Sequence, residues 1–283
     1  MPTETLEELH FDLSGIPLRV TGLSGPQAEA LVEEWSSFRR EDRSEPFLDI
    51  TVWVAGDPAH AGTAFAETFE STFEATAASY RIPEGEVRVD AVGAAAARLA
   101  PAPTNVQLCA FINLASAALG WRLPSRGGAA LHAAGLVHRG HAFILVGPSG
   151  SGKSTWAGQG KSAGARMLSE DVIFIDDTAK RPVALSVPFR HDRWGSLGPG
   201  RWPLAGILLP GWGSAARLDP VGSLRARASL TANFLYVPKD LESDPRPGLV
   251  IDRLLSEVPT RTLVFARDSS FLPLLESLLP GEA

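Results

Sequence analysis

A glycine-rich stretch near the middle of the chain carries the residues best suited to chemistry. Residues 147–155 read Gly-Pro-Ser-Gly-Ser-Gly-Lys-Ser-Thr, which satisfies the phosphate-loop pattern Gly-x4-Gly-Lys-Ser/Thr at every specified position. The apolar residues 142–146 before it predict a buried strand, and residues 153–162 after it predict a helix. In this strand–loop–helix order, backbone N–H groups and the helix N-terminus face phosphate oxygens. The stretch therefore predicts a nucleotide-binding site.

Two side chains of the loop have distinct expected roles. Lys153 is expected to reach the β- and γ-phosphates, and Ser154 to offer its hydroxyl to Mg²⁺. ATP and Mg²⁺ are thus the predicted ligands. The residues expected to contact the nucleotide are Gly147, Ser149, Gly150, Ser151, Gly152, Lys153, Ser154, Thr155 and, from a later segment, Arg190.

Two acidic pairs follow the loop helix, and either could serve the chemistry. Glu170-Asp171 ends the apolar stretch 165–168, and Asp176-Asp177 ends the stretch 172–175, which has the appearance of a Walker B strand. If residues 165–168 run parallel to residues 142–146, the first pair lies at the sheet edge where α/β proteins bind ligands. The next strand is then expected to run back and carry the second pair to the far edge. This topology favours Glu170 and Asp171, and leaves an ATPase that uses Asp176 as an alternative.

Residues 131–171 resemble the catalytic domain of HPr kinase/phosphorylase and its bacterial relatives. Three features carry the resemblance: His132 on the strand before the loop, the loop itself, and the acidic pair. Gly147 lies fifteen positions after His132, and Glu170 lies twenty-three positions after Gly147. The similarity extends more weakly over residues 101–283. It implies a fold related to phosphoenolpyruvate carboxykinase and a transfer of phosphate from ATP to a hydroxyl, typically serine, of a peptide, protein or small molecule, including natural-product precursor peptides.

The resemblance also implies roles for individual residues. In the family the first acidic residue is the general base; this chain has Glu170 where the family has aspartate, so Glu170 and Asp171 are both candidates. The implied catalytic residues are Glu170, Asp171, His132 and Lys153, with Mg²⁺ held by Ser154 and Asp171. The family's phosphorylase signature is absent, so only the kinase direction is expected. A nucleotide-binding regulator that transfers no phosphate is a further alternative.

The rest of the chain divides into a small N-terminal extension and the phosphate-loop domain. Residues 1–100 predict an α+β unit without catalytic motifs, and the Pro-Ala-Pro at 101–103 marks a break, so residues 101–283 form the expected α/β catalytic domain. The Gly-, Pro- and Trp-rich segment 187–213 is expected to be a lid over the acceptor. Within it, Arg190 is either a phosphate clamp or a solvated loop residue, and Trp194, Trp202 and Trp212 are expected to anchor the lid.

Composition narrows the classes of function. The 283 residues carry a net charge of −6, which gives no positive field for nucleic acid. The single cysteine, Cys109, excludes an intrachain disulfide and suits a reducing cytoplasm. Neither a secretory signal nor an uninterrupted apolar membrane span is evident, and the histidines lack zinc-site spacing with cysteine. We expect a cytoplasmic protein with ATP and a hydroxyl-bearing acceptor as partners, and the family resemblance implies a homo-oligomer.

Overall fold

The chain divides into two compact units of mixed α/β structure. The computed structural model describes residues 7–55, 69–177, 181–189, 197–238, 240, 242–266 and 268–280. One unit comprises Met1–Arg122 with Val187–His191, and the other comprises Leu123–Ser186 with Asp192–Ala283. The boundary therefore lies at 122/123 and not at 100/101, where the sequence predicts it.

The first unit is a mixed sheet of seven strands with helices packed on it. Its strands are β1 (Glu7–Asp12), β2 (Pro17–Leu23), β3 (Leu48–Val54), β4 (Glu70–Phe73), β5 (Ala77–Ile82), β6 (Gly85–Asp90) and β7 (Ala94–Leu99). They lie in the order β1-β2-β3-β7-β6-β5-β4. Its helices are α1 (Gly25–Glu34), a 3₁₀ turn (Ser36–Phe38) and α2 (Thr104–Arg122). Strands β2, β3 and β7 run parallel to one another, and the remaining pairs are antiparallel.

Helix α2 explains the shifted boundary. It packs against β5, β6 and β7, and its apolar side chains, including Phe111 and Leu114, are buried. The stretch Thr104–Arg126 is long and apolar enough to cross a membrane. However, 78% of its most apolar 18-residue segment is buried inside the structure. Its hydropathy is thus that of a buried core helix, and that core belongs to the first sheet.

The second unit is built around a closed ring of strands. Its strands are β8 (Ala129–His138), β9 (His141–Val146), β10 (Arg166–Ser169), β11 (Val172–Asp176), β12 (Val183–Ser186), β13 (Gly200–Trp212), β14 (Arg217–Pro220) and β15 (Thr260–Phe265). Pairing runs from β8 through β11, β12, β13 and β9 back to β8, which closes a five-stranded barrel. Its helices are α3 (Lys153–Ser162), α4 (Ser223–Asn233), α5 (Arg246–Glu257) and α6 (Leu272–Glu276).

Strand β9, which leads into the glycine-rich loop, is buried on both faces. Phe143 and Leu145 point into a core shared with α3 and α6, while Ile144 and Val146 point into one shared with α4 and α5. This explains why the strand reads as a continuous apolar run. It pairs antiparallel with β8, as the sequence predicts, and parallel with β13.

Strands β10 and β11 run in the same direction, so the expectation that β11 turns back is wrong. Both pair antiparallel with β8, β10 at the level of Gly135–Val137 and β11 at the level of Ala129–His132. Between them the N–H of Ala133 donates to the carbonyl of Asp171 (3.0 Å), and the register with β8 is the same on both sides of this contact. The β-bulge lies between Met167 and Ser169, and the acidic pair at 170–171 is a bend between two strands that continue in one direction.

Two further expectations also fail. The segment 187–213 is not a lid over its whole length, because Gly200–Trp212 is β13, a long strand of the barrel. The pair Asp219-Pro220 is of the kind expected at a helix start, but it ends β14, and α4 begins after Gly222. In both cases glycine, proline and aspartate, which often mark loops and helix starts, are accommodated at the end of a strand.

Candidate functional site

The glycine-rich loop follows β9 and requires glycine at particular positions. Gly150 and Gly152 have φ values of +76° and +96°, which side-chain-bearing residues rarely adopt. A Cβ on Gly147 would lie 2.7 Å from Cγ of Pro210, and one on Gly152 would lie 2.5 Å from Cζ2 of Trp212. The loop is therefore held close against the end of β13 by the absence of side chains.

Helix α3 begins immediately after Gly152, and one side of its first turn is exposed. Ser154 and Thr155 are exposed, and the N–H groups of a first turn have no acceptors within their own helix. The Oγ atom of Ser151 is buried and has no hydrogen-bond partner. The first-turn N–H groups and the hydroxyl of Ser151 are donors at a helix N-terminus, and together they form an anion cradle, a site suited to bind a negatively charged group.

Lys153 is almost fully buried, with 6% of its surface exposed. Its Nζ donates to the carbonyls of Gly147 (2.8 Å) and Pro148 (3.1 Å), and it lies 2.9 Å from Nε2 of His132. Burial lowers the pKa of Lys153 from its ordinary value, while Asp171 acts in the opposite direction. The ammonium group thus lies beneath the loop, where a bound phosphate would offset its charge.

His132 connects Lys153 to a carboxylate. Its Nδ1 lies 3.0 Å from Oδ1 of Asp171. Because an ammonium only donates and a carboxylate only accepts, a neutral ring with its proton on Nδ1 satisfies both neighbours. The hydrogen bond from His132 lowers the pKa of Asp171, and the charge of Lys153 contributes to this shift. Asp171, His132 and Lys153 therefore form one hydrogen-bonded chain beside the loop.

Local sequence explains why Asp171 reaches His132. The Oγ of the buried Ser169 accepts the N–H of Asp171 (3.4 Å) and that of Val172 (3.3 Å), which supports the bend at 170–171. Val172 is paired with His132 across the ladder, so the residue before it comes close to the histidine. The Asp171 side chain stays 72% exposed and open to a ligand, and Glu170 beside it is partly buried.

The other acidic pair is committed elsewhere. Asp176 is fully buried, where Arg126 donates to both of its oxygens (3.0 and 3.1 Å) and Arg201 donates to Oδ2 (2.7 Å). Nε of Arg253 lies 2.6 Å from Oδ2 of Asp177. Burial raises the pKa of Asp177. Five residues of extended strand, roughly 15 Å, separate Asp176 from Asp171. Asp176 is thus occupied as the ion-pair partner of Arg126 and Arg201 at a distance from the loop.

The predicted site residues are largely, though not all, brought together. Lys153, His132 and Asp171 are in contact, and Ser154 and Thr155 open the helix beside them. Arg190 lies outside the residues that the structure describes. Sequence reasoning missed the packing of Pro210 and Trp212 against the loop, because the parallel pairing of β13 with β9 has no local signal in the sequence.

The residues fit a magnesium ion that arrives with a nucleotide better than a metal held by the protein alone. Within the described ranges, no group of three or more His, Cys, Asp and Glu residues could hold a metal ion. Mg²⁺ is commonly bound by one or two protein oxygens together with substrate phosphates and water. The exposed hydroxyl of Ser154 and the carboxylate of Asp171 are oxygen ligands of the required kind.

No protein-family model matches the chain, and a search of curated proteins finds no match. The site itself combines an anion cradle, a buried ammonium and an exposed carboxylate oriented by a histidine. Such a set can hold a polyphosphate, offset its charge and accept a proton close to it.

Proposed function

We propose that this protein is an ATP-dependent phosphotransferase that phosphorylates a hydroxyl group of a peptide, protein or small molecule. The observation that carries the proposal is the hydrogen-bonded chain from Lys153 through His132 to Asp171 beside the glycine-rich loop. A loop that binds nucleotide needs the lysine alone, whereas a kinase also needs a base close to the terminal phosphate. The exposed carboxylate of Asp171 meets that second need.

The finer assignment is to an HPr kinase-like enzyme with a phosphoenolpyruvate carboxykinase-like fold. Its support is the sequence resemblance together with the arrangement of the motifs. The histidine strand β8 and the loop strand β9 form a hairpin, and the acidic pair lies on the strand that pairs with the other edge of β8. All three motifs of the resemblance thus meet around one strand.

Each residue has a role in the proposed reaction. The loop N–H groups bind the phosphates, and Lys153 offsets negative charge on the γ-phosphate. Asp171 takes the proton of the acceptor hydroxyl. The hydroxyl oxygen then bonds to the γ-phosphorus as the bond between that phosphorus and the bridging oxygen of ADP breaks. His132 orients Asp171 through Nδ1 and Lys153 through Nε2. A Mg²⁺ ion bound with the nucleotide would neutralise phosphate charge, with Ser154 and Asp171 as its protein ligands.

Binding and transfer, measured with two lysine variants, test the proposal. Lys153→Ala is expected to weaken Mg·ATP binding by about 100-fold, because a charge-assisted contact and a buried cation are lost together. Lys161→Ala, in the last turn of the same helix, is the matched control and is expected to change the affinity less than about twofold. Calorimetric titration measures both affinities. Phosphate transfer from γ-labelled ATP to serine- and threonine-containing peptides, and to water, is measured in parallel.

The possible results separate the candidate functions. Transfer that survives Lys153→Ala would contradict the proposal, as would the absence of Mg·ATP binding. Tight binding without transfer to any hydroxyl, water included, would instead indicate a nucleotide-sensing protein.

A further inference from the structure

The geometry of the loop gives a bound nucleotide a direction. Lys153, His132 and Asp171 lie on the side of β9 that faces β8 and β10, and this inference rests on the proposed function in taking them as the γ-phosphate end. On the other side, β9 pairs in parallel with β13, with Leu145 opposite Leu208. A triphosphate that lies over the loop with its terminal phosphate at the first side directs its nucleoside toward the second.

The second side carries an aromatic surface directly against the loop. Trp212 ends β13, and its Cζ2 and Cη2 atoms would lie 2.5 and 2.9 Å from a Cβ on Gly152. Glycine at 152 therefore allows the edge of the indole to reach the backbone from which α3 begins. Gly152 thus belongs to the phosphate-binding loop and also contacts the indole of Trp212.

The indole ring contacts a buried aromatic side chain and is still about half exposed. Phe265, which is fully buried, packs against Trp212 with ring centroids 4.9 Å apart and ring planes tilted by 36°. The ring centroid of Phe271 lies 6.2 Å from that of Phe265. Despite this support, 53% of Trp212 is exposed. Among the described residues of the second unit, it is the only aromatic side chain with so large an exposed fraction. A rigid, half-exposed indole at the nucleoside end of a phosphate loop is suited to stack on a planar ring.

We propose that Trp212 is the stacking surface for the base of a purine nucleoside triphosphate whose phosphates bind at residues 147–155. The larger ring system of a purine covers more of the indole than a pyrimidine does. Because every base has a π-face, stacking alone does not distinguish adenine from guanine. The site is therefore expected to bind Mg·ATP and Mg·GTP with similar affinity, and both more tightly than Mg·UTP.

A comparison of ligands with and without a base tests this assignment. Dissociation constants of Mg·ATP and of Mg·tripolyphosphate are measured by calorimetry for the full chain, Trp212→Ala, Trp212→Phe and Trp53→Ala. Trp53 is also an exposed tryptophan, but it lies on β3 of the first unit and serves as the matched control. Trp212→Ala is expected to weaken Mg·ATP about tenfold and to change tripolyphosphate less than about twofold. Trp212→Phe is expected to retain most of the affinity for Mg·ATP.

Other results would overturn the assignment and also indicate what fails. Equal weakening of both ligands by Trp212→Ala would show that the indole only braces the loop, and unchanged binding of both would show that the base lies elsewhere. If the unmodified chain binds tripolyphosphate as tightly as ATP, no base subsite exists although the phosphate loop functions. If it binds neither ligand, the base subsite and the proposed function fail together.

Discussion

His132 can join a buried cation to an exposed anion because its ring offers one acceptor nitrogen and one donor nitrogen. With Lys153 at Nε2 and Asp171 at Nδ1, each contact favours the same neutral tautomer. The chain of contacts fixes the orientation of the carboxylate relative to the ammonium before any ligand binds. Such preorganisation lowers the reorganisation needed during phosphoryl transfer.

The first prediction separates the two candidate bases. Asp171 contacts His132 directly, so Asp171→Asn is expected to lower kcat by about 100- to 10,000-fold. Glu170→Gln is the neighbouring control and is expected to change kcat less than about tenfold. Initial rates of transfer from γ-labelled ATP measure both. The reverse order of effects would assign the base to Glu170 and contradict the role given to Asp171.

Much of the site could be predicted from sequence because its residues belong to short-range patterns. The loop residues are contiguous, and His132 and the acidic pair lie on strands that flank it. Trp212 could not be placed in the same way, since its contact with Gly152 depends on a parallel pairing between strands far apart in the chain. Its glycine- and proline-rich surroundings favour a loop, and this led to the expectation of a lid.

At the scale of elements, α3 contains two glycines with different surroundings. A Cβ on Gly160 would lie 2.2 Å from Cδ1 of the buried Leu136, so this glycine allows the helix to approach β8 closely. A Cβ on Gly158 would meet nothing within 4 Å. The same residue type thus has a packing role at one position and none at the other.

The second prediction follows from this contrast. Gly160→Ala is expected to destabilise the protein by about 1–3 kcal/mol, because the added methyl group overfills the contact with Leu136. Gly158→Ala, the matched control, is expected to stabilise it by about 0.5–1 kcal/mol through the higher helix propensity of alanine. Urea denaturation measures both free energies of unfolding. Equal effects at the two positions would show that the close approach of α3 to β8 is not as described.

The direction of β11 shows a limit of sequence reasoning at this scale. Two apolar runs separated by Ser-Glu-Asp are compatible with either a reversing turn or a bend that keeps the strand direction. The outcome is decided by Ser169, whose hydroxyl accepts two following N–H groups, and by the ladder contact between Ala133 and Asp171. Asp171 of the first pair lies near Lys153, joined to it through His132, whereas Asp176 is carried away by β11 running on in the same direction and not by a strand that turns back.

At the scale of the molecule, the second unit contains a buried ion-pair cluster apart from the loop. Asp176 accepts from Arg126 on the 3₁₀ turn Leu123–Arg126 and from Arg201 on β13, so it ties three segments of the chain together. The sequence suggested a metal ligand here because an aspartate ends an apolar strand. The arginines that occupy the carboxylate come from distant positions, and their convergence is visible only in the folded unit.

The third prediction concerns this cluster. Asp176→Asn is expected to destabilise the protein by about 3–5 kcal/mol, because two arginines lose a fully buried partner. Asp252→Asn, which removes a largely exposed partner of Arg227, is the control and is expected to cost less than about 1 kcal/mol. Chemical denaturation measures both changes. Loss of ATP turnover by Asp176→Asn without loss of stability would restore Asp176 as a candidate metal ligand.

The most direct test of the central claim is a crystal structure of the full chain with Mg²⁺ and a non-hydrolysable ATP analogue. The account predicts the phosphates on the loop at residues 147–155, the terminal phosphate bonded to Nζ of Lys153, and the carboxylate of Asp171 facing it. A nucleotide bound at another surface, or a terminal phosphate on the β13 side and away from Asp171, would contradict the claim.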